Sequence, residues 1–397
     1  MPKIGINMRR FQVYTWGIIF LVCSAFPLQS ETGKIAPFVM PSARFAALGG
    51  NHPAQADDFY SLFLNPAAFV DVNETSSAAE ITAVTYGPVM DIMDHIREWD
   101  EKYLPSLDLS DYANIDGFSL GAELGGPLSL GWVGRGWGLG VFSRARSSAS
   151  VSVDISGGFP EIMLNPFISG ELFLTVGHAF RIVKKGSHLF DAGFLGKGFY
   201  RGTLNLSSAI TDAGDMFKKM ERHPFDISIG LGLDLGLRYT FMDDFAAALV
   251  CYDVYSPVFI TSYPAFNDFY DNGIFLGVSS YDTVKRRLDM GVSYRINTHF
   301  IDRFFSRLTV MASYRDFLDI FSEKPRNGAL NIGIGAEAVI LNALTFRLGM
   351  TDLLPAFGFG LDLSFMSLDF SIFGKEIGMS PGSYPVFGMA LGLLFRY

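Results

Sequence analysis

The 397-residue sequence predicts an all-β fold, a transmembrane antiparallel β-barrel of about 14 strands. Three observations predict it. Charged residues make up only 18% of the chain while aromatics reach 15%, with 38 Phe and 42 Gly, against about 25% charge in soluble domains. Apolar residues recur with period two from residue 117 onward. Short and long connections alternate between the apolar runs, as they do in outer-membrane barrels. The composition excludes a disordered chain, which carries few aromatics and much charge. It also excludes a bundle of membrane helices: the apolar stretch 11–26 is shorter than the roughly 20 residues a spanning helix needs.

Taken in order, the chain opens on an export signal, residues 1–30. Lys3, Arg9 and Arg10 precede the apolar run Phe11–Phe26, and Pro27-Leu-Gln-Ser30 follows, which is the order of a secretory signal peptide. A single anchoring helix is the alternative. Cys23 follows Val22, too large for a lipoprotein site, and Cys251 is the one cysteine left after the signal, so no intrachain disulfide is expected. The net charge of −9 offers no basic footprint, and nucleic acid is not an expected partner.

The barrel is expected over residues 80–397. In Phe225–Phe241 the odd positions are Phe, Ile, Leu or Tyr and the even ones Gly, Ser, Thr, Asp or Arg. A strand with that pattern has one apolar face and one small or polar face; a helix would have no coherent face. The same alternation occupies 288–296, 330–338, 344–350 and 357–365. The polar face is too poor in charge for a solvated exterior, so the large apolar face is assigned to lipid and the other to the lumen. Strands are expected near 80–87, 117–133, 137–153, 167–183, 188–204, 225–241, 245–256, 287–297, 306–317, 328–341, 344–353, 356–365, 367–374 and 384–397. Tight turns fall at 134–136, 184–187, 242–244 and 342–343, and long connections at 88–116, 205–224 and 255–286. The final run places Phe387, Met389, Leu391, Leu393, Phe395 and Tyr397 on one face. An aromatic C-terminal strand resembles the signal read by the bacterial outer-membrane assembly machinery, and Phe395 and Tyr397 are its expected carriers; an ordinary edge strand is the alternative.

Between signal and barrel stand Pro41-Ser-Ala-Arg-Phe-Ala-Ala-Leu-Gly-Gly50, Ala54-Gln-Ala-Asp-Asp58 and Leu62-Phe-Leu-Asn-Pro-Ala-Ala68. These resemble the N-terminal signature of the FadL and PorV-like superfamily of outer-membrane proteins and are similar to FadL-related proteins of spirochaetes. The match covers residues 42–68; Asn51-His52-Pro53 and Ala68 depart from the usual pattern, which bears on the local turn. The resemblance implies that residues 31–79 fold into the barrel as a hatch, with Arg44, Gly49, Gly50, Asp57, Asp58, Asn65, Pro66 and Ala67 as its hatch or gating residues. It implies either an uptake channel for hydrophobic or amphipathic molecules such as long-chain fatty acids, or a PorV-like partner of a secretion or surface-attachment system handling exported proteins. Physical chemistry agrees locally: Gly49-Gly50 permits positive φ, Asn65-Pro66 suits a turn, and Asp57-Asp58 can cap a short helix. A plug without ligand contact is the plainer alternative.

Parity directs Arg238, Asp226, Asp234, Asp289, Arg295, Arg315, Glu337, Arg347, Asp362, Asp369 and Arg396 into the lumen, because charge on the lipid face is costly. Either an arginine grips a ligand carboxylate, or the charges pair and stiffen barrel and hatch. In the outer loops, Ile92, His95, Ile96 and Trp99 have helical spacing, and Phe259, Phe266 and Phe269 lie in an aromatic-rich run. They are candidates for an apolar landing groove or for loop packing. No metal-ligand spacing and no nucleophile motif occur, so neither an enzyme nor a cofactor is expected. The expected partners are a hydrophobic small molecule, outer-membrane lipid and the assembly machinery. A structural surface protein is the third functional reading.

Overall fold

The computed structural model describes residues 35–55, 59–72, 75–87, 119–154, 161–209, 216, 219–272, 277–297 and 305–396. The signal region, Asp57, Asp58, Ile92, Trp99 and Tyr397 lie outside the described residues.

Seventeen strand segments form one antiparallel sheet: β1 (Thr75–Tyr86), β2 (Ser119–Gly134), β3 (Trp137–Asp154), β4 (Glu161–Lys185), β5 (His188–Asn205), β6 (Ser208–Ala209), β7 (Phe225–Phe241), β8 (Phe245–Tyr255), β9 (Pro257–Tyr263), β10 (Val278–Thr283), β11 (Arg287–Arg295), β12 (Arg307–Tyr314), β13 (Ile332–Ile340), β14 (Leu344–Thr351), β15 (Leu354–Leu363), β16 (Met366–Glu376) and β17 (Pro385–Arg396). The sheet closes because β1 pairs with β2 on one side and β17 on the other. β6 prolongs β5 against β4, β8 and β9 are one interrupted strand against β7, and β10 and β11 are one interrupted strand against β9 and β8. The wall therefore has fourteen strands, as the sequence predicts.

The connection expected over 255–286 is a correction. Two parts of it are wall: β9 and β10 pair in continuous register from Val278 opposite Ser262 to Thr283 opposite Pro257. The interruption at Ser256 and again at Val284–Arg286 hides the strand from a pattern reading, since a bulge at Asp253 (φ 54) resets the alternation. The tight turns are as expected. Met242-Asp243 and Leu341-Asn342 both take positive φ at consecutive residues, the hairpin geometry that follows the right-handed twist.

Leu174, Val176, Leu231, Phe346, Leu348, Phe357 and Leu391 are exposed on the outward face. Inside, residues 35–55 and 59–72 pack against the inner wall. Their largest buried cluster joins Phe45, Leu48, Phe59, Leu62, Leu64 and Phe69 of this segment to Val133, Phe142, Phe173, Leu195, Phe199 and Met311 of the strands. An apolar core thus lies in the lumen and a second apolar surface lies outside, where a soluble barrel is polar.

Candidate functional site

The inner segment is held by local geometry that its sequence encodes. Helix Ala43–Ala47 is capped by Ser42, whose hydroxyl accepts from the Phe45 amide. Gly49 and Gly50 end it with φ of 79° and 114°. Asn65 Oδ1 accepts from the Ala67 amide at 2.9 Å, and its Nδ2 donates to the carbonyls of Pro53 and Leu237. Pro66 begins a short 3-10 turn in which Ala67 is fully buried. The wall makes room by using glycine: a Cβ on Gly236 would stand 2.2 Å from Asn65 Oδ1, and one on Gly358 2.3 Å from the Ala47 methyl.

Charge fixes the same segment. Arg44 reaches Glu337 with Nε at 3.0 Å and Nη2 at 3.1 Å, and Arg307 and Arg347 each place a nitrogen 2.9 Å from the same carboxylate. On the opposite side Asp71 pairs with Arg181 and lies 3.5 Å from Arg238. Arg238 therefore serves the inner segment, not Asp226 or Asp234. Asp234 and Asp253 share Lys197, at 2.8 and 2.7 Å. Asp289 pairs with Arg287, Arg315 with Asp352 and Asp362 with Arg396. Arg295, with Arg347 and Arg396, borders a polar basin of about 650 Å³ and has no carboxylate partner among the described residues.

His52, fully buried on the inner segment, forms a hydrogen bond from Nε2 to the Leu48 carbonyl at 2.8 Å and leaves Nδ1 without a partner. Burial, opposed by the Leu48 bond and reinforced by Arg315, lowers its pKa to about 4. A lowered pKa means that the detached or unfolded state binds the proton more readily. The stabilising contribution is complete above pH 6.5 and is lost as pH falls through about 4. Wild type should lose roughly 1–2 kcal/mol more than His52→Phe between pH 7 and pH 5 in urea titrations. Parallel titrations would refute this.

Two rows across β3, β4, β5 and β7 define the most distinctive part of the lumen. Phe142 stands opposite Phe173, Phe173 opposite Phe199, Phe199 opposite Gly230 and Gly230 opposite Val258. One pleat nearer the outer end, Arg144 stands opposite Glu171 and Glu171 opposite Arg201. Glu171 Oε1 is 3.2 Å from Arg144 Nη2 and 2.9 Å from Arg201 Nε. Residues 35–39 lie across both rows. Arg201 donates twice to the Ala36 carbonyl at 3.0 Å, and Arg144 donates to the Val39 carbonyl. The Phe38 ring lies on Phe173 at a centroid separation of 3.4 Å, with the Arg144 guanidinium 5.2 Å above it. Ile35 bridges to Val284 at the interruption in the wall.

Arg144, Glu171, Lys197 and Arg201 escape a reading that equates large residues with the lipid face. On β5 that rule reverses: Leu195 and Phe199 face inward while Gly196 and Gly198 face outward. The exposed residues Leu172, Leu174, Phe194 and Tyr200 are the signal that restores the parity. Among the outer candidates, Phe259 is corrected: it sits on β9, 63% exposed on the outward face, edge-on to Tyr281. Phe266 and Phe269 belong to helix Phe266–Asn272 and pack on Phe225 at 4.9 and 5.3 Å. Phe395 shares the outward face of β17 with Leu391.

A closed antiparallel barrel, apolar outside, charged inside and filled by its own N-terminal segment, defines a membrane-spanning barrel of the outer-membrane type. The toluene transporter TodX of Pseudomonas putida is similar over 91% of this chain and 99% of its own, with 11% identity and a TM-score of 0.47. A Pseudomonas aeruginosa FadL homologue is similar over 92% and 99%, with 11% identity and a TM-score of 0.45. The toluene transporter TbuX of Ralstonia pickettii covers 90% and 97%, again at 11% identity, with a TM-score of 0.42. No family model and no curated protein matches the chain. At that identity and overlap, function has to be read from this chain's own residues.

Proposed function

We propose that the protein is an outer-membrane channel for hydrophobic or amphipathic small molecules, long-chain fatty acids among them, and that the segment expected as its hatch, residues 31–79, acts as one up to Thr75, where β1 begins. The observation that carries this reading is the pairing of the Phe142–Phe173–Phe199 row with the Arg144–Glu171–Arg201 row beneath residues 35–39. An aqueous pore has a polar interior, and three phenylalanines side by side on the inner wall do not belong in one. An apolar slot rimmed by two guanidinium groups and one carboxylate suits a molecule with an apolar tail and a carboxylate head, because the planar fork accepts a carboxylate in bidentate fashion. In the closed state Phe38 covers Phe173, Phe59 and Phe63 cover Phe142, and the carbonyls of Ala36 and Val39 occupy the forks. Withdrawal of residues 35–39 releases Phe173 and both forks and also frees Val284 at the interruption of the wall.

Binding of a fluorescent fatty acid to the detergent-solubilised chain tests the site. Arg144→Ala with Arg201→Ala should weaken binding roughly ten- to a hundredfold, the loss expected when charge-assisted hydrogen bonds disappear. Deleting residues 35–41 should strengthen it. Unchanged affinity in both variants, together with recovery of a stable exported protein from solubilised outer membranes, would replace the channel reading with the secretion-partner one.

A further inference from the structure

The polar basin bordered by Arg295 lies at the end of the barrel opposite the long connections. It is built on the inner face of seven consecutive strands, β11 to β17. Its rim is tied to the tight turns: the Arg295 amide donates to the Asp244 carbonyl and the Asp362 amide to the Ala343 carbonyl, both at 2.7 Å. Short turns of outer-membrane barrels face the periplasm, so the basin lies on the periplasmic side. Arg44 and Tyr60 of the inner segment form its inner boundary.

The basin collects more guanidinium groups than its carboxylates use. Arg44, Arg307 and Arg347 crowd on Glu337, Arg347 also reaches Asp369, and Arg396 takes Asp362. Among the described lining residues, five guanidinium groups thus face three carboxylates, and Arg295 is the one with no carboxylate. Register sets Arg295 beside Arg307. Arg295 stands opposite Thr309, so Arg307 is its diagonal neighbour on the same face, about 7–8 Å away. An anion between them is attracted by both.

A second observation points to a bound molecule. Ser367 lines the same basin, is only 6% exposed, and its hydroxyl has no hydrogen-bond partner among the described residues. Buried hydroxyls normally have one, and an oxygen of a ligand would supply it. The volume of about 650 Å³ falls within the roughly 300–1,000 Å³ of small-molecule sites. It is many times the ~30 Å³ of a water molecule, so a bare inorganic ion would not fill it. Val339 and Leu361 are the only aliphatic side chains along it, which gives an acyl chain little to lie on.

We infer that this basin is a periplasmic binding site for a hydrophilic small molecule that carries an oxyanion and has the size of a monosaccharide phosphate. Arg295 and Arg307 hold the oxyanion, since the planar guanidinium fork matches phosphate and carboxylate oxygens. Ser367, Asn297 and Asn342 meet its hydroxyl groups. Arg44 and Tyr60 belong to the inner segment and the other lining residues to the wall, so the occupant bridges the two and holds the segment in place. The site is separate from the Arg144 and Arg201 forks and stands whether or not the protein is a channel.

Calorimetric titration of the full chain in detergent with glucose 6-phosphate, at an ionic strength matched with chloride, tests the site. Saturable binding is expected. Gluconate, titrated in parallel, reports whether a carboxylate serves in place of the phosphate, and glucose should not bind. Arg295 is exposed at the rim, so Arg295→Ala should leave the barrel folded, which circular dichroism checks. It should weaken binding roughly ten- to a hundredfold, the effect of losing hydrogen bonds to a charged group. Arg295→Lys, which keeps the charge and loses the fork, should recover part of the affinity. Ser367→Ala should cost roughly two- to tenfold. Saturating glucose 6-phosphate should also slow proteolysis within residues 35–72 in the parent chain and not in Arg295→Ala. Absence of saturable binding by either anion at matched ionic strength, or binding that survives Arg295→Ala, would overturn the inference. So would glucose binding as well as its phosphate, or proteolysis unchanged at saturation. Displacement by octanoate and not by inorganic phosphate would overturn it too, giving the basin to a fatty acid.

Discussion

Glu337→Ala should destabilise the folded barrel by about 3–5 kcal/mol, the cost of removing one partner from a buried ion cluster. Glu337 is 1% exposed and is the common acceptor for Arg44, Arg307 and Arg347. Without it three guanidinium groups remain close together beside the polar basin, and Arg347 keeps Asp369 as a further carboxylate. Two of the three belong to the wall and one to the inner segment, so the loss should also free the segment. Urea unfolding in detergent micelles, followed by tryptophan fluorescence, measures the first effect; limited proteolysis within residues 35–72 measures the second. Arg44→Met separates them: it should expose the segment to protease while costing the wall much less. A loss below 1 kcal/mol in Glu337→Ala would show that the arginines are satisfied without this carboxylate.

The second large effect is steric. Gly349→Val should expel the inner segment, because the new Cβ would lie 2.3 Å from both the Gly49 nitrogen and the Leu48 carbonyl carbon and 2.6 Å from the Ala47 oxygen. These are backbone atoms and cannot rotate away. Overpacking of this kind typically costs about 1–3 kcal/mol, and here the penalty should be relieved by movement of helix Ala43–Ala47, since β14 is held by eight residue pairs to each neighbour. The expected result is a folded barrel with raised ion conductance in planar bilayers and a protease-sensitive segment. Conductance equal to that of the parent chain would mean that the segment does not obstruct the lumen.

Much of the fold is legible in the sequence because the membrane imposes a two-residue period on every wall strand and the turns punctuate it. Phe225–Phe241 states its register unaided. The legibility ends where packing inside the lumen sets the residue type. Gly349 and Gly358 look like ordinary small luminal positions, and their sequence does not say that a helix lies against them. On β5 the size rule fails outright: Phe199 and Leu195 face the inner segment, Gly196 and Gly198 face the membrane, and Arg201 and Lys197 are easily assigned to the wrong side. The interruption between β8 and β9 hides two strand segments inside what reads as a loop.

The charged candidates show the same division. Parity alone places Arg238, Glu337, Arg347 and Asp362 inside, and they are inside. Which charge meets which is a tertiary fact. Arg238 meets Asp71 and Asp234 meets Lys197, because ion pairing acts over a few ångströms between residues far apart in sequence.

By itself the sequence determined a fourteen-stranded barrel, its inside and its outside, since these follow from side-chain alternation against lipid, a constraint applied residue by residue. Only the tertiary structure decided that Phe38 covers Phe173 while the carbonyls of Ala36 and Val39 meet the two arginines, and that Gly196 and Gly198 face the membrane. Both depend on which strands are neighbours and in what register, and closure of the sheet sets that across the whole chain.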